Sequence, residues 1–186
     1  LRRILEGGPV SAMSYSLVGP LLASPLYWLG KTVLTPEWWW AGSNVVLLGV
    51  GFFVMHRLVI SKWGPTRLYS FFLLVLAASM FPNHLRFFSG EVFTAVWVAV
   101  GTLALIQDRP RLGWAAVSLG VLNTPAAIPA LTLIALQRCF LQKSLKNLFP
   151  VLVTLALFLL ENRLRKGGFF LTGYENNAGF PTLLPY

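Results

Sequence analysis

Residues 38–56 hold no charged side chain, with His56 counted as neutral, and this one interval constrains the chain more than any motif in it. Its 19 residues, wound as a helix, extend about 28 Å at about 1.5 Å per residue, close to the roughly 30 Å of a bilayer's hydrocarbon core. Further uncharged intervals follow at 68–85, between Arg67 and Arg86, and at 92–107, between Glu91 and Asp108. Residues 112–137 are also uncharged, but "NTPAAIP" interrupts them. Pro125 and Pro129 there predict two short helices folded as a hairpin, or one strongly kinked helix. Residues 147–160 form a short last interval that either ends at Glu161 or continues past it with polar groups facing protein or water.

Composition agrees with a lipid solvent. Hydrophobic residues make up 56% of the 186-residue chain and charged ones 11%, against roughly 25% in soluble domains. The mean hydropathy is +0.68. A net charge of +9 raises the question of nucleic acid, but that function needs a basic face on a soluble body. Here the basic residues cluster between apolar runs, as in the cytoplasmic loops of membrane proteins. Seven Trp and fourteen Phe fit the aromatic belts of a membrane interface. We therefore expect an integral membrane protein: an all-α, polytopic transmembrane helical bundle of about five or six passes, with membrane lipids and no nucleic acid as partners.

The basic residues also orient the chain. Arg57, Lys62 and Arg67 follow the first interval, Arg109 and Arg111 follow the third, and Arg138, Lys143 and Lys146 precede the last. These eight alternate correctly to lie on one side, and the positive-inside rule makes that side cytoplasmic. The opposing loops at 31–37 and 82–91 carry one Lys and one Arg. Arg163, Arg165 and Lys166 break the pattern. Residues 1–31, with Pro9, Pro20, Pro25 and several Ser, suit an irregular or interface-lying outer segment; 38–160 form the bundle; 161–186 begin an outer loop. Both ends look cut, so the whole reads as a single transmembrane domain within something larger. No cleavable signal peptide is apparent at the start.

Several chemistries lack their residues. There is no Walker-type loop, no HExxH and no Ser/His/Asp set, and the single Cys139 allows no internal disulfide. What remains lies on the outer side. Glu91 stands two residues after Ser89, at the start of an apolar helix. It is either a first-turn carboxylate favoured by the helix dipole behind a Ser N-cap, or a ligand for a hard cation such as magnesium or manganese. His84 and Arg86 share the loop "FPNHLRFF". Arg86 suits a lipid phosphate through a charge-assisted contact, or simply snorkels to headgroups. Trp38 to Trp40 read as an aromatic belt, with sugar stacking as the other use. Tyr174 and Glu175 lie in a polar outer segment, "GYENNAG", of the kind that carries function more often than a span does.

Four stretches then resemble one family. "SYSLVGPLLASPLYWLG" is similar to the outer segment after the first helix of the GT-C class of membrane glycosyltransferases, in the branch of protein O-mannosyltransferases and aminoarabinose transferases. "FFSGEVFTAVWVAVGTLAL" resembles the helix that opens on that family's second acidic residue. "GWAAVSLGVLNTPAAIPALTLIAL" is similar to its Gly- and Pro-marked helix pair. "ENRLRKGGFFLTGYENNAGFPTLLPY" resembles its outer loop. The resemblance implies a GT-C-like bundle that transfers a sugar from a polyprenyl-phosphate or pyrophosphate carrier to an acceptor outside the cytoplasmic (plasma) membrane. It implies Glu91 as ligand to a divalent metal, His84 and Arg86 near the carrier phosphate, and Tyr174 toward lipid or acceptor. The family's main carboxylate falls before the matching stretches, so the catalytic base is expected N-terminal to this chain. A lipid-linked-sugar flippase or a non-catalytic scaffold are the rival readings; the flippase predicts polar residues deep in several spans and an internal repeat, and the sequence has neither.

Overall fold

A computed structural model describes residues 16–33, 35–79, 81–85, 89–166 and 168–170, with only the backbone of 36, 37, 40, 41 and 166. Among them every regular element is helical: α1 (Val18–Gly30), α2 (Pro36–Ala77), α3 (Phe81–His84), α4 (Gly90–Ile106), α5 (Pro110–Asn123), α6 (Ile128–Gln142) and α7 (Phe149–Lys166). Single 3-10 turns at Pro125–Ala127 and Leu145–Leu148 lead into α6 and α7. Two helices are long and apolar enough to cross a membrane, Gly42–Ala77 and Leu145–Arg165.

The first of these is folded on itself. Gly64 sits at φ 74°, ψ 163°, backbone that only glycine adopts without strain, and Pro65 starts a new helical arm directly after it. The Phe52 and Phe72 rings stack at 4.1 Å, and the Tyr69 hydroxyl lies 3.3 Å from His56 Nε2. In a straight helix residues 52 and 72 would stand about 30 Å apart at about 1.5 Å per residue. The chain therefore reverses at Gly64, and 36–63 and 65–77 are antiparallel arms. Arg57 and Lys62 belong to the first arm's last turns rather than to a loop.

The second arm stops at Ala77, whereas the uncharged interval predicted a span over 68–85. Ser79 ends it: its hydroxyl takes the Val75 carbonyl and accepts the Phe81 N–H at 3.1 Å, offering the backbone local partners in place of the helix ladder. Residues 81–84 then form only one turn. The early outer segment differs from expectation in the other direction, since 18–30 are helical despite two prolines. Pro20 lies in the first turn, where no amide is missed. Pro25 deprives the Leu21 carbonyl of its donor, and the Ser24 hydroxyl donates to that carbonyl instead, at 2.6 Å. Likewise α7 runs on to Lys166, so the outer loop does not begin at 161. The remaining boundaries fall where the prolines put them: Pro110 opens α5, and Pro125 and Pro129 separate α5 from α6.

Packing centres on α4. Helices α4 and α5 form the closest pair: a Cβ on Gly101 would meet the Val117 backbone nitrogen at 2.6 Å and the Gly113 carbonyl oxygen at 2.8 Å. Small residues at such crossings let backbones approach, which is how helices associate where no hydrophobic drive separates helix from solvent. On its other side α4 packs against α2 through Met55, Val59, Leu68, Val92, Val96, Val100 and Ala104. A second cluster joins Leu105, Val117, Val121 and Leu131, bringing in α6. Outside these, large apolar side chains face outward along α6, α7 and the turn between them, including Leu133, Phe140, Leu145, Phe149 and Leu164, each at least 67% exposed.

Two ends result. Asn44 of α2 reaches Ser89 at the start of α4, and a Cβ on Gly51 would touch Val96, so the first arm of α2 and α4 run in the same direction. That alignment puts the Gly64 reversal level with the α4–α5 turn near Arg109. Arg138 of α6 bonds the Leu105 carbonyl at this same end. The three segments that carry the eight Lys and Arg thus gather at one end, as their alternation predicts, and Glu91 lies at the other.

Candidate functional site

The site is built at the end opposite the basic turns, where α4 begins. Ser89 occupies the N-cap position in extended backbone (φ −118°, ψ 121°), but its side chain caps nothing. The first N–H groups of α4 are therefore without a side-chain cap, and the dipole there favours negative charge. Glu91, in that first turn, is 78% exposed at its side chain, and its Oε2 lies 3.7 Å from Nδ1 of His84. That spacing is an ion-pair approach, longer than a hydrogen bond. The structure thus brings together two of the four residues singled out in the sequence. Arg86 and Tyr174 lie outside the described residues.

Two buried asparagines set the geometry, and neither was singled out as functional by sequence. Asn44, 1% exposed, donates from Nδ2 to the carbonyls of His84 and Ser89, both at 3.3 Å. It ties the end of α3 and the residue before α4 to α2. Asn123, at the C-terminus of α5, donates to the Gly90 carbonyl at 2.7 Å and to Thr94 Oγ1 at 3.1 Å, while its Oδ1 accepts the Gly19 N–H at 3.0 Å. A Cβ on Gly90 would stand 2.9 Å from Asn123 Nδ2, so glycine is what admits this bond. Thr94 and Thr124 hydroxyls share a hydrogen bond of 2.7 Å, and Thr94 also reaches the Gly120 carbonyl. Amide and hydroxyl side chains inside otherwise apolar spans are the signal that points to such a network.

Glu161 completes this end. Its Oε1 accepts from Arg165 Nη1 at 2.8 Å and from the Leu17 N–H at 2.9 Å, and its Oε2 from the Ser16 hydroxyl at 3.4 Å. The Glu161 and Arg165 side chains are 18% and 5% exposed. The pair explains why α7 persists beyond Glu161, and it neutralises Arg165, one of the three basic residues that break the charge alternation. It also pins the start of α1 to the bundle.

At the start of α2, the Thr35 hydroxyl accepts the Trp38 N–H at 3.4 Å, a true N-cap, and Trp39 Nε1 donates to the Val33 carbonyl at 2.8 Å. Trp38 and Trp39 meet edge-on at 5.2 Å between ring centres, and Lys31 Nζ lies 4.2 Å from the Trp28 ring centre. One indole of this run is thereby fixed by the turn before it, and Trp38 remains exposed.

Chemically, the Glu91–His84 pair offers one carboxylate and one imidazole on an open rim. Among the described residues no group of three or more His, Cys, Asp and Glu comes together. The pair alone therefore does not fill a coordination sphere. Of the two, only the carboxylate is a ligand type that magnesium takes, commonly with waters and a substrate phosphate supplying the other oxygens. No protein-family profile, no curated protein and no solved structure matches this chain.

Proposed function

We propose that the chain is the membrane-embedded part of a GT-C-like glycosyltransferase of the cytoplasmic (plasma) membrane. It moves a sugar from a polyprenyl-phosphate or pyrophosphate carrier to an acceptor on the extracytoplasmic side. One observation carries the reading: exposed Glu91 and half-buried His84 stand together at the end of the bundle opposite the eight basic residues. In a cytoplasmic membrane the positive-inside rule turns that end outward. The apolar exposure of α6 and α7 supports embedding, because a water-facing surface of that extent is otherwise an aggregation surface.

Glu91 would hold a divalent cation, magnesium or manganese, which when bound would supply charge neutralisation to the departing phosphate, with His84 a contact to that phosphate. The chain's own contribution is placement. Asn44 fixes the loop that carries His84, Asn123 fixes the helix start that carries Glu91, and the uncapped N–H groups of α4 add positive potential where a phosphate approaches. Arg86, two residues beyond His84, is the proposed second phosphate contact, and Tyr174 the contact to lipid or acceptor.

A second reading has its own observation. Glu91 is 78% exposed with a single partner among the described residues, which equally suits a first-turn carboxylate in a non-catalytic scaffold. Transfer assays separate the two. Membranes containing the wild-type or Glu91→Gln protein are given radiolabelled polyprenyl-phosphate sugars with and without magnesium. Sugar transfer requires the metal and falls about 100-fold in the variant, about 2.7 kcal/mol of barrier, with the protein level unchanged. Equal transfer by both proteins removes Glu91 from the site, and no transfer from any donor favours the scaffold.

A further inference from the structure

At the opposite end a cavity of ≈ 170 Å³ opens between the α4–α5 turn and the α6–α7 turn. A single water needs only about 10–15 Å³ on the same measure. Leu105, Trp114 and Asn147 line it, with Asp108, Arg138 and Gln142 supplying its polar edge. The guanidinium of Arg138 is the only charged group largely withdrawn from water there, its side chain being 17% exposed. It gives one N–H to the Leu105 carbonyl; Asp108, the sole acidic residue at this end among the described residues, stands 3.7 Å away with 85% of its side chain exposed. A guanidinium has five N–H donors in a planar fork, and this one has no bidentate anion among the described residues. Next to it, Asn147 is 9% exposed and donates to Gln142 Oε1 at 3.0 Å and to the Ser144 carbonyl at 3.3 Å. With its oxygen so engaged, the Gln142 amide presents N–H donors on the same edge.

The surroundings say what kind of anion fits. Arg109, Arg111, Lys143 and Lys146 flank the cavity in sequence, so cations greatly outnumber the one carboxylate. Phe140, Leu141 and Leu145, beside Arg138 and Gln142 in the chain, are 81%, 71% and 78% exposed. A forked cation and an amide donor next to exposed apolar side chains match a phosphate carrying acyl chains. We propose that this cavity binds a phosphate oxyanion, presented by an anionic glycerophospholipid of the leaflet at the basic end, with Arg138 and Gln142 as its donors. Basic pockets between helices on this side of membrane proteins recognise such headgroups. The inference rests on the membrane reading above and not on the transfer chemistry at the other end.

The full chain, purified in detergent and stripped of lipid, is titrated with phosphatidylglycerol, phosphatidylcholine or inorganic phosphate, and bound species are read by native mass spectrometry. Phosphatidylglycerol binds about tenfold or more tighter than phosphatidylcholine, and Arg138→Gln removes the preference. Asp108→Asn, which relieves the competing carboxylate and keeps a residue that tolerates the φ of 55° at this turn, strengthens phosphatidylglycerol binding. This gain is the decisive arm, because a misfolded variant cannot produce it. Equal binding of the two lipids, an unchanged affinity in Asp108→Asn, or inorganic phosphate binding as tightly as phosphatidylglycerol overturns the proposal. Carbonate extraction of membranes reads the underlying premise separately: a chain that washes out refutes embedding, whereas a chain that stays but shows no lipid preference refutes only the headgroup site.

Discussion

Glu161 and Arg165 stand at the spacing at which helical side chains meet, and both are mostly withdrawn from solvent. Two charges placed this way need one another more than the protein needs the pair. Removing one partner from a buried ion pair costs about 3–5 kcal/mol, while replacing both by apolar residues of similar size is often close to neutral. Glu161→Ala should therefore lower the thermal midpoint of the detergent-solubilised protein strongly, and the double variant Glu161→Leu, Arg165→Met should recover most of that loss. Losses that simply add would mean the two side chains act independently. The sequence marks Glu161 as a polar group at the end of an apolar interval, and correctly allows the span to continue past it. It does not show that the Leu17 N–H and the Ser16 hydroxyl, more than 140 positions away, bond to the same carboxylate. Asn123 is similar. Its place before two prolines reads as a break between helices, whereas its three hydrogen bonds to α1 and α4 depend on contacts that no local pattern encodes. Glu91 and His84 were legible as residue types beside an apolar run, and their mutual approach followed only from the folded loop.

Helix boundaries were legible where proline set them and obscure where serine did. Pro125 and Pro129 act through a missing amide and a fixed φ, effects that operate whatever surrounds them. Ser79 ends the second arm of α2 by local hydrogen bonds that compete narrowly with the helix, so the uncharged run beyond it suggested a longer span. The Gly64 reversal was placed in the right basic segment, but the segment is almost entirely helical, with the turn confined to one residue. A direct check is available because Cys139 is the only native cysteine. In a Cys139→Ala background, Phe52→Cys with Phe72→Cys should be bridged by a short bis-maleimide, because the stacked rings place the two positions on facing arms. A continuous helix would hold those positions about 30 Å apart and give no cross-link.

For the whole molecule, charge and polarity are segregated along one axis. The eight Lys and Arg lie at one end with Asp108, and Glu91, His84, Asn123 and the Glu161–Arg165 pair lie at the other, with apolar side chains facing outward between them. This arrangement follows from the alternation of charged turns and apolar intervals, and so it was the most legible property of the sequence. The transfer proposed for the Glu91 end depends on it, because a carrier phosphate would reach Glu91 only if that end faced the acceptor's compartment. Labelling of single cysteines in intact cells tests this most directly. In the Cys139→Ala background, Pro82→Cys stands in α3, two residues before His84 at the Glu91 end, and Lys62→Cys and Lys143→Cys stand at the basic end; all three native residues are exposed. A membrane-impermeant maleimide added outside should label Pro82→Cys alone, with Lys62→Cys and Lys143→Cys labelled only after the cells are opened. Labelling of either basic-end position in intact cells, or protection of Pro82→Cys until lysis, would contradict the account.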